Sequence, residues 1–382
     1  MSFISFVFFL ILIGLLISTH EFGHFIVAKA NNIRVLEFMI GVGPVIVSFQ
    51  SGGTKYSLRL LPFGGACVMD GMDDIKLPGD EEDEVGDSNS LISDGSMDQT
   101  LEETGVVQNP NDGHIRFLEA GIWARISTVL AGPIFNFIFA FLMSIIIVGS
   151  TVEDLPVIQN VIDDYPAAKA GLKSGDVITK IDGEKIHLAR QISVITDLRN
   201  GETLTIEYER NGEKGVVVLT PKFDEKLERY LLGLNGYAEY QQVTGAKVLQ
   251  YAAYEVEYGG GVVIKSLKRL LSGRGSKDDL AGPVGMAQMV GEVTKESLPY
   301  GVTAMIINML NLAMLLSVNL GILNLLPIPA LDGGKLLFLI IELIRGKKIS
   351  PEKEGIVHLI GFALLFGLTI FVLFNDISRL FR

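Results

Sequence analysis

His20, Glu21 and His24 stand in the order His-Glu-Phe-Gly-His toward one end of an otherwise uncharged apolar run, Phe3 to Ala28. On a helix the two histidines are about 6 Å apart along the axis and roughly 40° apart around it. Both imidazoles then share one face and can bind one metal ion. Glu21 beside them is placed to take a proton from a water held there. In a soluble helix such a motif is often chance, its histidines solvated or hydrogen-bonded in a core. Inside an apolar span three polar groups are costly to insert, which makes them a functional site by default.

A catalytic zinc takes three protein ligands and keeps one position open, so a third ligand is needed. His114 and His187 lie in polar stretches, and His358 is expected to be a helix-end histidine. Asp332 is the better candidate. It ends the run Asn324-Leu325-Leu326-Pro327-Ile328-Pro329-Ala330-Leu331-Asp332 and is followed by Gly333-Gly334. Two prolines break a helix there. Broken backbone at membrane depth is tolerated where it lines protein or a watery cavity. Asp332 can turn back toward the histidines, or it can cap a helix starting near Lys335.

Four apolar stretches must position these groups: about Ile4–Ala28, Ile126–Val148, Thr303–Leu326 and Gly355–Phe374. Each has the roughly 20 residues that span a bilayer as a helix. The first lacks a basic leader and a small-residue cleavage site, so it is expected to be a permanent span. Basic residues set the direction. Lys29, Arg34, Lys55 and Arg59 follow the first span, Arg116 and Arg125 precede the second, and Arg345, Lys347, Lys348 and Lys353 link the third to the fourth. These flanks belong in the cytoplasm, which leaves both termini and the 150–300 region outside. Arg379 and Arg382 argue mildly against this.

Of the 382 residues, 48% are hydrophobic, and the net charge is −12. Residues 70–105 hold thirteen acids against Lys76 alone, so the rest of the chain is balanced. No basic patch points to nucleic acid. A single cysteine, Cys67, excludes an intramolecular disulfide and a Cys-based zinc site. It has no visible partner and is taken as an incidental small residue.

Between the spans, Val157–Val161, Val177–Ile181, Leu204–Tyr208 and Val216–Leu219 are short β-rich runs separated by turn signals such as Asp182-Gly183 and Asn211-Gly212. The stretch from Pro166 through Gly171 and Gly175 to Ile178, with Ile181-Asp182-Gly183 after it, resembles bacterial PDZ domains, which hold extended peptides at a sheet edge. A structural spacer is the alternative. Val35–Ile40, Val45–Phe49 and Tyr56–Leu61 are expected hairpin strands beside the site. A free strand edge there can hold an unfolded segment by main-chain hydrogen bonds. Residues 70–113 are expected to be a solvated, disordered acidic loop. Residues 244–272 are expected to form two amphipathic helical pieces, broken at Gly259-Gly260-Gly261, on the outer membrane face or against the PDZ-like domain.

Taken together, these motifs resemble the site-2 protease family of intramembrane zinc metalloproteases, in particular its bacterial RseP-like group. The resemblance covers nearly the whole chain. It rests on the HExxH in the first span and the NxxPxPxxDGG in the third, with Gly41-Val42-Gly43-Pro44, Leu61-Pro62-Phe63-Gly64-Gly65, Arg125, Ala131-Gly132-Pro133-Ile134-Phe135-Asn136-Phe137 and Gly282-Pro283-Val284-Gly285 between them. It implies that His20, His24 and Asp332 bind Zn2+ and that Glu21 is the catalytic base. Asn324, with Pro327, Pro329 and Gly43, is expected to face substrate, and Asn136 to lie near the site or to pack helices. The acidic insertion and the single PDZ-like domain, where some relatives have two, depart from the pattern.

The expected fold is a multi-span α-helical membrane protein of about four transmembrane helices, with a membrane-associated β-hairpin region and an extracytoplasmic PDZ-like α+β domain. Its expected divisions are 1–30, 31–69, 70–113, 114–150, 151–225 (PDZ-like), 226–300, 301–345 and 346–382. The expected activity is hydrolysis of peptide bonds within or next to transmembrane segments in a bacterial cytoplasmic membrane. Substrates would be single-span proteins already cut by an upstream site-1-type protease, such as anti-sigma factors or signal-peptide remnants. A zinc transporter or sensor, or a non-catalytic PDZ scaffold, is the alternative. The first leaves Glu21 unexplained; the second is at odds with an intact set of ligands and base.

Overall fold

A computed structural model describes residues 3–72, 113–235, 239–273 and 282–380. The expected acidic loop at 70–113 falls outside them except at its two ends. The helices are α1 (Phe3–Ala30), α2 (Ile122–Ser150), α3 (Pro166–Lys169), α4 (Arg190–Arg199), α5 (Lys247–Leu271), α6 (Pro283–Ser297), α7 (Val302–Leu325), α8 (Asp332–Arg345) and α9 (Pro351–Leu380). The strands are β1 (Val35–Ser51), β2 (Thr54–Met69), β3 (Val152–Leu155), β4 (Asn160–Val161), β5 (Val177–Ile181), β6 (Glu184–Lys185), β7 (Leu204–Arg210), β8 (Glu213–Leu219), β9 (Lys222–Asp224), β10 (Arg229–Leu231), β11 (Leu234–Asn235) and β12 (Glu239–Gln242). Among the described residues, four helices are long and apolar enough to cross a bilayer: Ser5–Ala30, Ile122–Ser150, Val302–Leu325 and Lys353–Ser378. Helical pairing satisfies most of their backbone groups, as hydrocarbon requires, although Pro133 within α2 removes one such bond.

The chain divides into two compact units. One comprises Met1–Phe139, Leu280–Met305 and Leu320–Arg382; the other comprises Ala140–Asp279 and Ile306–Asn319. In the first, β1 and β2 are long, bent strands rather than simple hairpin arms. Residues 35–40 pair on one side with 65–69 and on the other with 55–58, while 45–51 pair with 54–59. The result is a small four-ribbon sheet in the order 65–69, 35–40, 55–59, 45–51. Gly52 and Gly53, with φ of +56° and +74°, close the tight turn between the strands. The ribbon 45–51 is exposed along its length, including Val45, Ile46, Val47 and Phe49.

Sheet and helix meet closely because side chains are missing where they touch. A Cβ added at Gly14 of α1 would lie 2.2 Å from the Pro62 carbonyl oxygen. One added at Gly65 would lie 3.7 Å from both Ile17 and Glu21 of α1. Under this contact Ala28, Ile33, Val35, Cys67, Met69, Phe117, Ile126, Val129 and Leu339 form a core. In the last span the buried acid Asp376 is explained by α6: its Oδ2 accepts the N–H groups of Gly282 (3.1 Å) and Gly285 (2.8 Å) at the start of that helix.

The second unit carries the antiparallel sheet β6-β5-β7-β8 and the smaller pairs β3–β12, β4–β11 and β9–β10. Its core includes Ile158, Ala167, Leu172, Ile178, Ile192, Leu204 and Ile206. Further strands continue past residue 225, as far as Gln242. The run expected at Val157–Val161 is a strand only at Asn160–Val161, with Val157 in an isolated bridge to Val177. The two helical pieces expected at 244–272 are one helix, α5. A glycine costs a helix only about 1 kcal/mol relative to alanine. Gly259 is also buried there, and a Cβ on it would meet Met314, Leu315 and Val318 at ordinary contact distance, 3.7–3.8 Å.

Candidate metal centre

Helical spacing in α1 puts His20 and His24 side by side, with ring centroids 4.8 Å apart and rings edge-on. Their Nε2 atoms are 3.2 Å apart. Asp332, the first residue of α8, brings Oδ2 to 3.0 Å from His20 Nε2 and 3.3 Å from His24 Nε2. Both histidines are buried. Among the described residues, these three form the group that can hold a metal ion. Zinc with bonds of about 2.0–2.1 Å to nitrogen and oxygen sets tetrahedral ligands about 3.3 Å apart. The observed triangle of 3.0, 3.2 and 3.3 Å therefore fits one face of a zinc tetrahedron and leaves its fourth corner open.

The far side of each ring is also held. His24 Nδ1 donates to the Thr128 carbonyl at 2.8 Å, which leaves its Nε2 unprotonated. His20 Nδ1 lies 3.0 Å from the Asn136 amide. With the amide turned so that its oxygen faces the ring, Nδ1–H donates and Nε2 is again free to bind metal. Both partners lie on α2, so a second apolar helix orients the two histidines of the first. Gly132, between them, is the residue that makes room. A Cβ there would lie 2.3 Å from His24 Nε2 and 2.7 Å from His20 Cε1. Sequence reasoning quoted Gly132 only as part of a motif; its Gly-Pro step within an apolar span was the available signal.

Asp332 is delivered by a tight reversal. After α7 ends, Pro327 and Pro329 occupy the turn into α8. Gly333 and Gly334 let α8 start against that turn: a Cβ at Gly333 would lie 2.0 Å from the Leu326 oxygen, and one at Gly334 would lie 2.5 Å from the Ile328 oxygen. Farther along α8, Glu342 forms a bidentate pair with Arg125 of α2, one arm of which is Arg125 Nη1 to Oε2 at 3.0 Å. Arg125 also donates through Nε to the Ala120 oxygen at 3.1 Å.

The Glu21 carboxylate lies within electrostatic reach of His20, His24 and Asp332. Its Oε2 accepts the Cys67 backbone N–H at 2.9 Å. Asn324, near the end of α7, has Nδ2 3.4 Å from His20 Nε2. The structure thus gathers His20, Glu21, His24, Asp332, Asn324 and Asn136. Gly43 lies in β1 at φ +89°, with Arg59 donating to its carbonyl at 3.4 Å. His187 stacks on Tyr254 at 3.8 Å between centroids in the strand-rich unit. His358 accepts a backbone N–H from Ala330.

Comparison with known proteins bears on this geometry. The sequence pattern of "Peptidase family M50" matches residues 8–368. The zinc metalloprotease RasP of Geobacillus kaustophilus is 33% identical, covering 99% of this chain and 98% of that protein. The regulator of sigma-W protease RasP of Bacillus subtilis is 32% identical and the probable protease eep of Enterococcus faecalis 34%, each over 98% of both chains. Among solved structures, the PDZ domain of the SdrC-like protein of Listeria monocytogenes is 25% identical, covering 22% of this chain and 85% of that one, with a TM-score of 0.19.

Proposed function

The chain belongs to peptidase family M50, and from that premise we propose that His20, His24 and Asp332 are the zinc ligands and Glu21 the catalytic base. It is a zinc metalloprotease, and its four apolar helices make it a membrane protein whose activity is intramembrane proteolysis. The observation that carries the residue assignment is the triangle of His20 Nε2, His24 Nε2 and Asp332 Oδ2, sized for one tetrahedral face.

Bound zinc supplies Lewis acidity toward a carbonyl and lowers the pKa of water toward about 7. Glu21 takes a proton from the attacking water and delivers it to the leaving amine. Asn324 orients the scissile segment, and Pro327, Pro329 and Gly43 line its path. A peptide in a helix hides its carbonyl in an i to i+4 hydrogen bond, so substrate has to unwind first. The four-ribbon sheet beside α1 offers main-chain groups to pair with the unwound segment.

The basic flanks support placing both termini and the 150–300 region outside, with the metal centre near the cytoplasmic face of a bacterial membrane. The name of the Bacillus subtilis relative points to a substrate class of membrane-anchored regulators of sigma factors, cut beforehand by another protease. The PDZ-like segment at 151–225 acts on that choice, by capturing a new chain end or by excluding uncut proteins.

Cleavage of single-span reporters in reconstituted membranes tests the assignment. Wild type should cut, a zinc chelator should stop it, and Glu21→Gln should hold zinc without cutting. Turnover by zinc-loaded Glu21→Gln would remove Glu21 from the base role.

A further inference from the structure

We propose that His358, together with Gly361, is a positioning residue for the metal centre: from α9 the pair fixes the turn that delivers Asp332. This rests on the assignment of Asp332 as a zinc ligand. The Leu331 N–H donates to the Ile328 oxygen at 3.2 Å, closing a four-residue turn with Pro329 and Ala330 in the middle. Ala330 has φ +73°, which residues with a Cβ rarely adopt. A proline followed by a positive φ is the pattern of a type II turn, whose third position normally takes glycine. An alanine there has to be held by its surroundings.

The hold comes from α9. His358 Nδ1 accepts the Ala330 N–H at 2.9 Å. To accept, Nδ1 carries no proton. Nε2 lies 3.8 Å from Glu354 Oε1, one turn earlier on the same helix. The ring lies 5.6 Å from that of Phe338 on α8. Three residues on, a Cβ at Gly361 would lie 2.2 Å from Pro329 Cβ and 2.7 Å from the Pro329 oxygen. Residues three apart share a helix face, so His358 grips the turn where Gly361 lets α9 come close. Asp332 follows immediately, and the Gly334 and Lys335 N–H groups are already bound to the Leu331 oxygen at 3.0 and 3.3 Å. The aspartate is therefore held from both sides, and displacing the turn displaces a ligand.

The test measures zinc affinity of the purified full-length protein in detergent, by competition with a chromogenic chelator, with circular dichroism to check folding. His358→Leu removes the acceptor and should weaken zinc binding about 10-fold, the upper end for one lost hydrogen bond. His358→Asn places an oxygen near Nδ1 and should stay within about 3-fold of wild type. Gly361→Ala, with His358 intact, should also weaken zinc, whereas Gly367→Ala on the same helix, where a Cβ meets nothing within 4 Å, should not. Wild-type affinity in both His358→Leu and Gly361→Ala would overturn the proposal, as would His358→Asn binding as weakly as a folded His358→Leu. Asp332→Ala separates the two levels. If it leaves zinc affinity unchanged, the ligand assignment itself falls.

Discussion

Oε2 of Glu21 and the backbone nitrogen of Cys67 stand 2.9 Å apart, the nitrogen donating. The proposed base on α1 is thereby tied to the edge ribbon 65–69 of the sheet, through main chain rather than through a side chain. A segment that pairs with this sheet would thus be one hydrogen bond away from the proposed base.

Cys67→Pro deletes that N–H and leaves the carboxylate without its anchor. A hydrogen bond to a charged group contributes about 1.5–3 kcal/mol, so kcat should fall by roughly 10- to 100-fold while bound zinc is kept. Cys67→Ala retains the N–H and should retain most of the activity. Single-turnover cleavage of a reporter, alongside metal analysis, reads both.

Gly132→Ala should empty the centre. The new Cβ would fall 2.3 Å from His24 Nε2, and the ring cannot yield without losing its bond to the Thr128 carbonyl. Zinc content after dialysis should drop to near zero. Gly149→Ala on the same helix, where nothing lies within 4 Å, should keep full occupancy.

Arg125 and Glu342 form a buried pair, with side chains 4% and 15% exposed. Removing one partner strands the other charge, at a cost of about 3–5 kcal/mol. Arg125→Met alone and Glu342→Leu alone should each lower thermal stability sharply. The double variant should recover much of the loss, because no charge is left unpaired. A double variant as unstable as the worse single one would show that the pair does more than neutralise itself.

In the strand-rich unit, burial pushes the Glu255 carboxyl up to about 8 against the pull of Arg190, with neighbouring Glu153 adding to the rise. An acid whose folded pKa exceeds its unfolded value of 4.5 binds its proton more tightly when folded. Stability from this group is fully present below about pH 4.5, declines as pH rises, and levels off above about 8. Hydrogen exchange of residues 150–273 should therefore speed up between pH 5 and 8, after correction for its intrinsic pH dependence. Glu255→Gln should flatten that trend. An unchanged slope in the variant would assign the pH dependence to other groups.

What the sequence disclosed follows from range. His20 and His24 are legible because helical periodicity alone puts them on one face, and Asp332 because two prolines and two glycines announce a reversal at the end of a span. Gly132, Cys67 and His358 were not legible in these roles. Gly132 matters through what its absent side chain would strike on another helix. Cys67 looked incidental because its side chain is; its amide holds Glu21. His358 resembled an ordinary helix-end histidine, and its partner is a backbone N–H 28 residues earlier. The glycines at 259–261 misled in the opposite direction, since local propensity argued for a break and packing against α7 overrode it.

Asp332 follows His20 by 312 positions in a chain of 382. At about 5–20 residues per second, a ribosome takes roughly 15–60 s to pass from one to the other. Throughout that time the nascent protein has its base and two of its proposed ligands in place and lacks the third. The proposed centre is therefore assembled late, once the segment that follows α7 has been made.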